Sequence, residues 1–399
     1  MISVSLLFGK DKLPLNHHPW IFSGAIAGMS GTPGPGEVVA VLAHDGRFIA
    51  YGHHNPTSKI RLRLLEWDRA RIPDAGWYRE RLRQALELRR GIFADGRTTA
   101  ARLVFSEADF LPGLIIDRFG QYAVLQFATA GMEAAKTEIT AAFTELFTEF
   151  WGTPIALVER GDGDGRHMEG LPNTGGILYG EVPAGPIQIL ENGHPFAVDL
   201  VNGQKTGFYA DQRENRRLVA PWLQGRRILD LCCYTGGFSL YGLAAGAVSA
   251  DLVDVSGWAL EQAAANLQAA GFSNFTCTEE NAFRYLRRVR ESRKNAWDAI
   301  ILDPPKLAPT RADVDQAMRG YKDLNLQALA ALPPGGLLAT FSCSGLVSQA
   351  MFREVVAYAA KDAGRDVQIL LQLHQGTCHP IRASFPESEY LKGLLLRVQ

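Results

Sequence analysis

From residue 225 onward the apolar residues of this chain come in seven short runs, RRILDLCC, SADLVDV, NFTCTEE, WDAIILDPP, GLLATFSCS, DVQILLQL and LKGLLLRVQ. Between the first six lie five stretches with helical spacing, at 239–245, 257–270, 283–291, 320–332 and 348–363. Strands that alternate with helices form a largely parallel sheet covered on both faces, because each crossover helix must pack back onto the sheet. The fold class expected here is therefore α/β, and ligands of such a sheet bind at the carboxyl ends of its strands.

The upstream half reads differently. The first ~75 residues hold short alternating runs, VVAVLA, RFIAYG and IRLRLLEW, broken by SGTPGPGE and HHNPTS, the pattern of a small β-rich unit with tight turns. An amphipathic helix follows from about 77 to 93, with Leu82, Leu86 and Leu88 set among arginines. Residues from about 102 to 185 mix strands such as LIIDRF and YAVLQFA with a helix over 133–151, which reads as α+β. The expected division is 1–76, 77–185 and 186–399, and 399 residues suit two or three domains.

Composition narrows the class. An apolar fraction of 47% with 21% charged residues is ordinary for a globular protein. No run approaches the ~20 apolar residues of a membrane helix, and the N-terminus lacks the cationic region of a secretory signal, so a cytoplasmic protein is expected. The five cysteines include no C-x-x-C pair and fit a reducing compartment. A net charge of −1 makes no global case for nucleic acid. Locally, residues 59–102 carry 12 Lys or Arg against 6 Asp or Glu, which suits either a face of ion pairs such as Glu80 with Arg83 or a phosphate-contacting surface. No metal site is expected. Adjacent histidines at 17–18 and 53–54 point to opposite strand faces, and the DGDG turn lacks the acidic residues of a calcium loop. The aromatics Trp20, Tyr51, Trp67, Trp77 and Tyr78 are expected to fill the core more than to stack on bases.

The polar residues at the strand ends carry the chemistry. DLCCYTGGFSL sets Tyr234, Thr235, Gly236 and Gly237 between the first strand and its helix, where glycine lets backbone approach a ligand. Some twenty residues on, Asp254 ends the second strand, placed for the two hydroxyls of a ribose. A dinucleotide fingerprint would need an additional earlier glycine. Asp230 at the end of the first strand also suits a cation better than a pyrophosphate. A sulfonium cofactor with a free amino acid end, S-adenosylmethionine, is the better match. The fourth strand ends in Asp303-Pro304-Pro305-Lys306 and the fifth in Ser342-Cys343-Ser344-Gly345, two loops that adjacent parallel strands would bring together. Cys232 and Cys233 lie within the first strand and are expected to be structural, and Cys277 and Cys378 carry no functional expectation.

In order along the chain, HPWIFSGAI, TGFYADQREN, LDLCCYTGGFSL, LDPPK, RGYKDLN and FSCSGL resemble the motifs of the RNA cytosine-5 methyltransferases. The resemblance is closest to the bacterial large-subunit ribosomal RNA enzymes, and it covers essentially the whole chain. It implies an N-terminal PUA-like domain, a central α+β domain and a C-terminal class I methyltransferase domain with a Rossmann-like sheet. S-adenosylmethionine is then the cofactor and large-subunit rRNA the partner, with no membrane association, while the oligomeric state stays open and admits a homodimer. Cytosine carbon 5 is a poor nucleophile, so a thiolate must first add to carbon 6. Cys343 is the implied thiolate. Asp303 is implied at ring nitrogen 3 as well as near the cofactor, and Lys306 as a charge that lowers the thiol pKa. Phe208, Asp211, Gln212 and Arg213 fall in a segment that implies contact with cofactor or RNA, a reading favoured over a plain capped helix beginning near Asp211. Where the family has an acidic residue for the adenine amino group, this chain reads Glu279-Glu280-Asn281, and Asn281 could accept that hydrogen bond instead. The second cysteine of many relatives is replaced here by Pro305-Lys306, so the base that takes the carbon 5 proton is unassigned. The open alternatives are methylation of an exocyclic guanine or adenine amine, and a non-catalytic RNA-binding assembly factor.

Overall fold

All seven expected strands of the C-terminal region enter one sheet. The structure is a computed structural model that describes residues 1–201, 203, 206–292 and 296–399, the side chains of 164 and 290–292 excepted. The strands are β1 (Arg227–Leu231), β2 (Ser249–Asp254), β3 (Phe275–Glu279), β4 (Ala299–Leu302), β5 (Leu337–Ser342), β6 (Val367–His374) and β7 (Lys392–Val398). Their order across the sheet is β3-β2-β1-β4-β5-β7-β6. The first five are mutually parallel, and β7 enters antiparallel to both β5 and β6. Helices α1 (Gly237–Ala244), α2 (Gly257–Ala269), α3 (Ala282–Ser292), α4 (Val314–Ala331) and α5 (Gln349–Asp362) make the crossovers.

The central strands are apolar because both faces are covered. Every residue of β4 (AIIL) and β5 (LLATFS) is buried, and each fully buried large aliphatic side chain contributes about 1.5–3 kcal/mol. Tyr285, Leu286 and Val289 of α3 and Leu324, Ala328 and Leu329 of α4 share one core with them. Parallel register aligns Leu231 with Val253 and Leu302, and Leu302 with Thr340. The loops after β1, β2, β4 and β5 therefore leave the same edge of the sheet. Helix α4 begins at Val314, six residues before the expected start at 320. The Thr310 hydroxyl and the Asp313 carboxylate form a reciprocal cap around a short turn, which lets the helix start upstream of Gly320.

By contacts the chain forms two units. One comprises Met1–Ile189, Val198–Ala210 and Cys378–Ser388, and the other comprises Leu190–Ala197, Asp211–Thr377 and Glu389–Gln399. The first holds a six-stranded sheet, formed from strands between Ser3 and Glu66, and a five-stranded sheet, formed from strands between Ala100 and Tyr179. Helices Ala75–Arg89 and Lys136–Trp151 share a core with the five-stranded sheet, through Leu82, Leu86, Phe143 and Phe147. Asp74 caps the first of these helices by accepting from the Trp77 amide, and Gly152 ends the second in left-handed geometry. Of the five aromatics expected in the core, Tyr51, Trp77 and Tyr78 are buried, whereas Trp20 and Trp67 are half-buried.

Most of the closely spaced arginines of 59–102 are bound to carboxylates. Arg63 bridges Glu107 and Glu169, Arg81 pairs with Glu66, and Arg71 pairs with Glu66 and Glu80. Arg83 meets Glu149 and not the expected Glu80, because the side chain reaches across to the neighbouring helix. Among the described residues no helix is long and apolar enough to cross a membrane, and no acidic, histidine or cysteine group is arranged to hold a metal.

The most deeply buried of these cations is Arg89, which is fully enclosed. It donates two hydrogen bonds of 2.7 and 2.6 Å to Asp109 and a third to the Cys378 carbonyl. Replacing Arg89 by Ala would strand a buried carboxylate, so it is expected to destabilise this unit by about 3–5 kcal/mol in urea unfolding. Arg83→Ala, at an exposed pair, is expected to leave the midpoint almost unchanged.

Candidate functional site

The loop after β1 has an unusual backbone. Cys232 and Tyr234 adopt positive φ (57° and 49°), as does Gly236 (77°), and for a non-glycine residue this costs on the order of 1–2 kcal/mol. Three hydrogen bonds hold the loop in that shape. The Tyr234 amide donates to Asp254 Oδ2 at 2.9 Å, the Gly236 amide to the Cys233 carbonyl at 2.9 Å, and Asn266 Nδ2 to the Thr235 carbonyl at 3.1 Å. Glycine is required at the turn. A Cβ on Gly236 would lie 3.1 Å from that of Ala263, and one on Gly237 would lie 2.5 Å from Arg216 Nε. Arg216 is itself buried against Glu191 at 2.6 Å.

Asp254 is half-buried at the end of β2, and its second oxygen accepts from the Ser256 amide at 3.0 Å. Each carboxylate oxygen keeps lone-pair capacity for a hydroxyl. Asp230 is enclosed and accepts from both the amide and the hydroxyl of Ser239. Burial pushes its pKa up to about 6, while the Ser239 hydrogen bonds pull it back. A cation bound nearby would favour the charged form. A glycine turn at a helix start, a ribose-ready carboxylate and a buried acid responsive to a cation together fit S-adenosylmethionine. Burial likewise pushes the Cys232 and Cys233 thiols well up, which keeps them protonated.

The loops after β4 and β5 meet as parallel neighbours should. Cys343 is half-buried, and its Sγ lies 3.9 Å from the Pro304 carbonyl oxygen, next to Asp303. Asp303 accepts from Gln212 Nε2 at 2.8 Å, and Asn215 in turn donates to Gln212 Oε1 at 2.6 Å. Gln212 thus orients the carboxylate of Asp303. Lys306 is exposed in the same loop.

The remaining expected residues have the following surroundings. The Asn281 amide oxygen, expected for an adenine amino group, accepts from the Phe283 and Arg284 amides and caps α3. Arg213 is buried and bound to Glu214 and Thr377. Asp211 accepts from the Tyr390 hydroxyl at 2.6 Å in a short turn leading into helix Arg213–Val219. Phe208 is buried and belongs to the first unit. Three residues that shape the site went unread in the sequence: Asn266, Tyr321 and Lys392. The Tyr321 hydroxyl lies 2.9 Å from Ser344 Oγ, and Lys392 Nζ donates to the Ser344 carbonyl at 2.7 Å. Tyr321 lies within RGYKDLN and Lys392 opens the run KGLLLRV, whereas Asn266 left no sequence signal.

Residues 4–67 match a PUA-like domain model, and residues 171–363 match an S-adenosylmethionine-dependent methyltransferase model. The chain is 42% identical over 399 residues to the Ribosomal RNA large subunit methyltransferase I of Shewanella amazonensis, covering 100% of this chain and 99% of the relative. It is 42% identical over 400 residues to the protein of the same name from Aeromonas hydrophila, with the same coverage. A candidate SAM-dependent methyltransferase structure from Streptococcus mutans superimposes over both full chains with a TM-score of 0.84 at 20% identity. A candidate methyltransferase crystallised with S-adenosylhomocysteine superimposes over both full chains at 0.86 with 21% identity. These two likenesses show the fold.

Because a Cβ at Gly237 would displace Arg216 beneath the loop, Gly237→Ala is expected to weaken S-adenosylhomocysteine binding about tenfold or more by calorimetry. Unchanged affinity would show that the turn does not hold the cofactor.

Proposed function

The chain belongs to the family of the ribosomal RNA large subunit methyltransferase I proteins, and from that premise we propose that it methylates carbon 5 of a cytosine in large-subunit rRNA through a covalent adduct with Cys343. S-adenosylmethionine, when bound, supplies an electrophilic methyl group. The observation that carries the cytosine-5 reading is the meeting of Cys343 and the Asp303 loop at the carboxyl edge of the sheet. A thiol half open to solvent at that edge can reach a base; Cys233 and Cys378 are enclosed, and Cys232, though also half-buried, is held protonated by burial and the carboxylates around it.

In this reading the Cys343 thiolate adds to carbon 6 of the ring, and the electron pair of the 5,6 double bond becomes the enamine that makes carbon 5 nucleophilic. Asp303, held by Gln212, acts as an acid that gives a proton to ring nitrogen 3 and so neutralises the negative charge that addition at carbon 6 places there; the carboxylate takes that proton back when the thiolate leaves. Carbon 5 takes the methyl group as its bond to sulfur breaks. Loss of the carbon 5 proton then returns the electron pair to the ring and expels the thiolate. The target base is presented unstacked, since attack at carbon 6 comes from above the ring plane. The PUA-like segment 4–67 contributes contact with the RNA.

Incubation with labelled S-adenosylmethionine and rRNA, followed by nuclease digestion and mass spectrometry, is expected to place label in 5-methylcytidine for the wild type. Cys343→Ala is expected to lower that label at least ~10³-fold. Label on a guanine or adenine amine, or undiminished label with the variant, would overturn the covalent cytosine reading.

A further inference from the structure

Lys392 opens β7 directly opposite Ser342, the last residue of β5. Its side chain is only 2% exposed, and its Nζ donates to the carbonyl of Ser344. The ammonium is thus fixed to the residue after Cys343 from a position paired with the residue before it. Ser344 is held from the other side, its hydroxyl accepting from the Ala308 amide at 3.1 Å and meeting Tyr321. Cys343 therefore sits on a segment clamped at both of its neighbours.

Enclosing an ammonium costs several kcal/mol, and one hydrogen bond to a neutral carbonyl does not offset that; an apolar side chain of similar length would pack there without the penalty. A persistent charge at such a place calls for an anion nearby. We propose that Lys392 is a positioning residue that holds a positive charge beside Cys343 and stabilises its thiolate, an inference that rests on the reading of Cys343 as the nucleophile. The proton released by the thiol passes to solvent.

The surrounding groups are consistent with this role. Burial pushes the Lys392 pKa down to about 8, while the charges of Cys343 and Glu389 act to raise it. Lys392 is thus mostly protonated at neutral pH, and its help to the thiolate fades as the pH climbs past about 8. From α4, Tyr321 is kept a neutral phenol by burial, with Cys343 raising its pKa further. From β6, His374 stands opposite Lys392 in register and is exposed. Arg353 and Glu354 of α5 are exposed, as is Lys306 after β4.

The test measures the thiol and not the methylated base. Cofactor-free protein is alkylated with iodoacetamide between pH 6 and 10, and the Cys343 peptide is quantified by mass spectrometry with the exposed Cys277 as internal reference. Wild-type Cys343 is expected to titrate below the ordinary thiol value of about 8.5. Lys392→Met is expected to raise that midpoint by about one unit, slowing alkylation at pH 7 about tenfold. Lys392→Gln keeps a donor for the Ser344 carbonyl but no charge, so a purely structural tether predicts a wild-type profile and the charge role predicts the shifted one. Lys306→Met examines the other lysine on that edge, the one the sequence implied for the same role. An unshifted Cys343 profile in folded Lys392→Gln, or a shift produced by Lys306→Met instead, would overturn the proposal. Because no cytosine is involved, failure to find 5-methylcytidine would count against the reading above without altering this result.

Discussion

Parallel pairing of β4 between β1 and β5 is the constraint on which the site depends. In an antiparallel sheet successive strand ends would alternate between edges, and Asp254, Asp303 and Cys343 could not gather on one side. Here the register sets residues 231, 253, 302 and 340 in line, so each following loop starts from the same level. The apolar strands fix that level through the packing of α3 and α4. These side chains inherit their positions from the apolar residues packed beneath them.

The loops on that edge are held in conformations they would not adopt alone. Positive φ at Cys232 and Tyr234 is retained because Asp254 and Asn266 bind the loop backbone. The Asp254 carboxylate keeps the turn with one oxygen and accepts from the Ser256 amide with the other. Such local strain is commonly retained where a ligand must meet preset backbone.

The α/β architecture was legible because its signals are periodic and local: strand runs, helical spacing and the Gly236-Gly237 turn each occupy a few adjacent residues. Helix α4 was placed too late because Gly320 reads as a breaker, while the cap that overrides it, Thr310 with Asp313, lies outside the apolar pattern. The sequence did not reveal that Asn281 caps a helix, because a polar residue after a strand has the same identity whether it meets a ligand or binds backbone amides. Gln212 is expected from the sequence to touch cofactor or RNA, and its hydrogen bond to Asp303, 91 residues away, could not be inferred from spacing. Lys392 is the instructive omission. Its neighbours in sequence are apolar, and only the antiparallel insertion of β7 brings it beside the Cys343 segment.

That insertion has a consequence for biosynthesis. Strand β7 occupies the slot between β5 and β6 although it follows both in the chain. While the polypeptide emerges from the ribosome, β5 has an open side and β6 has no partner until residues 392–398 have been made. The apolar LLATFS strand must wait with one row of amide and carbonyl groups unmatched, a state prone to pairing with other chains. The same late segment carries Lys392, so the pairing of β7 completes both the sheet and the hydrogen bond to the Ser344 carbonyl behind Cys343.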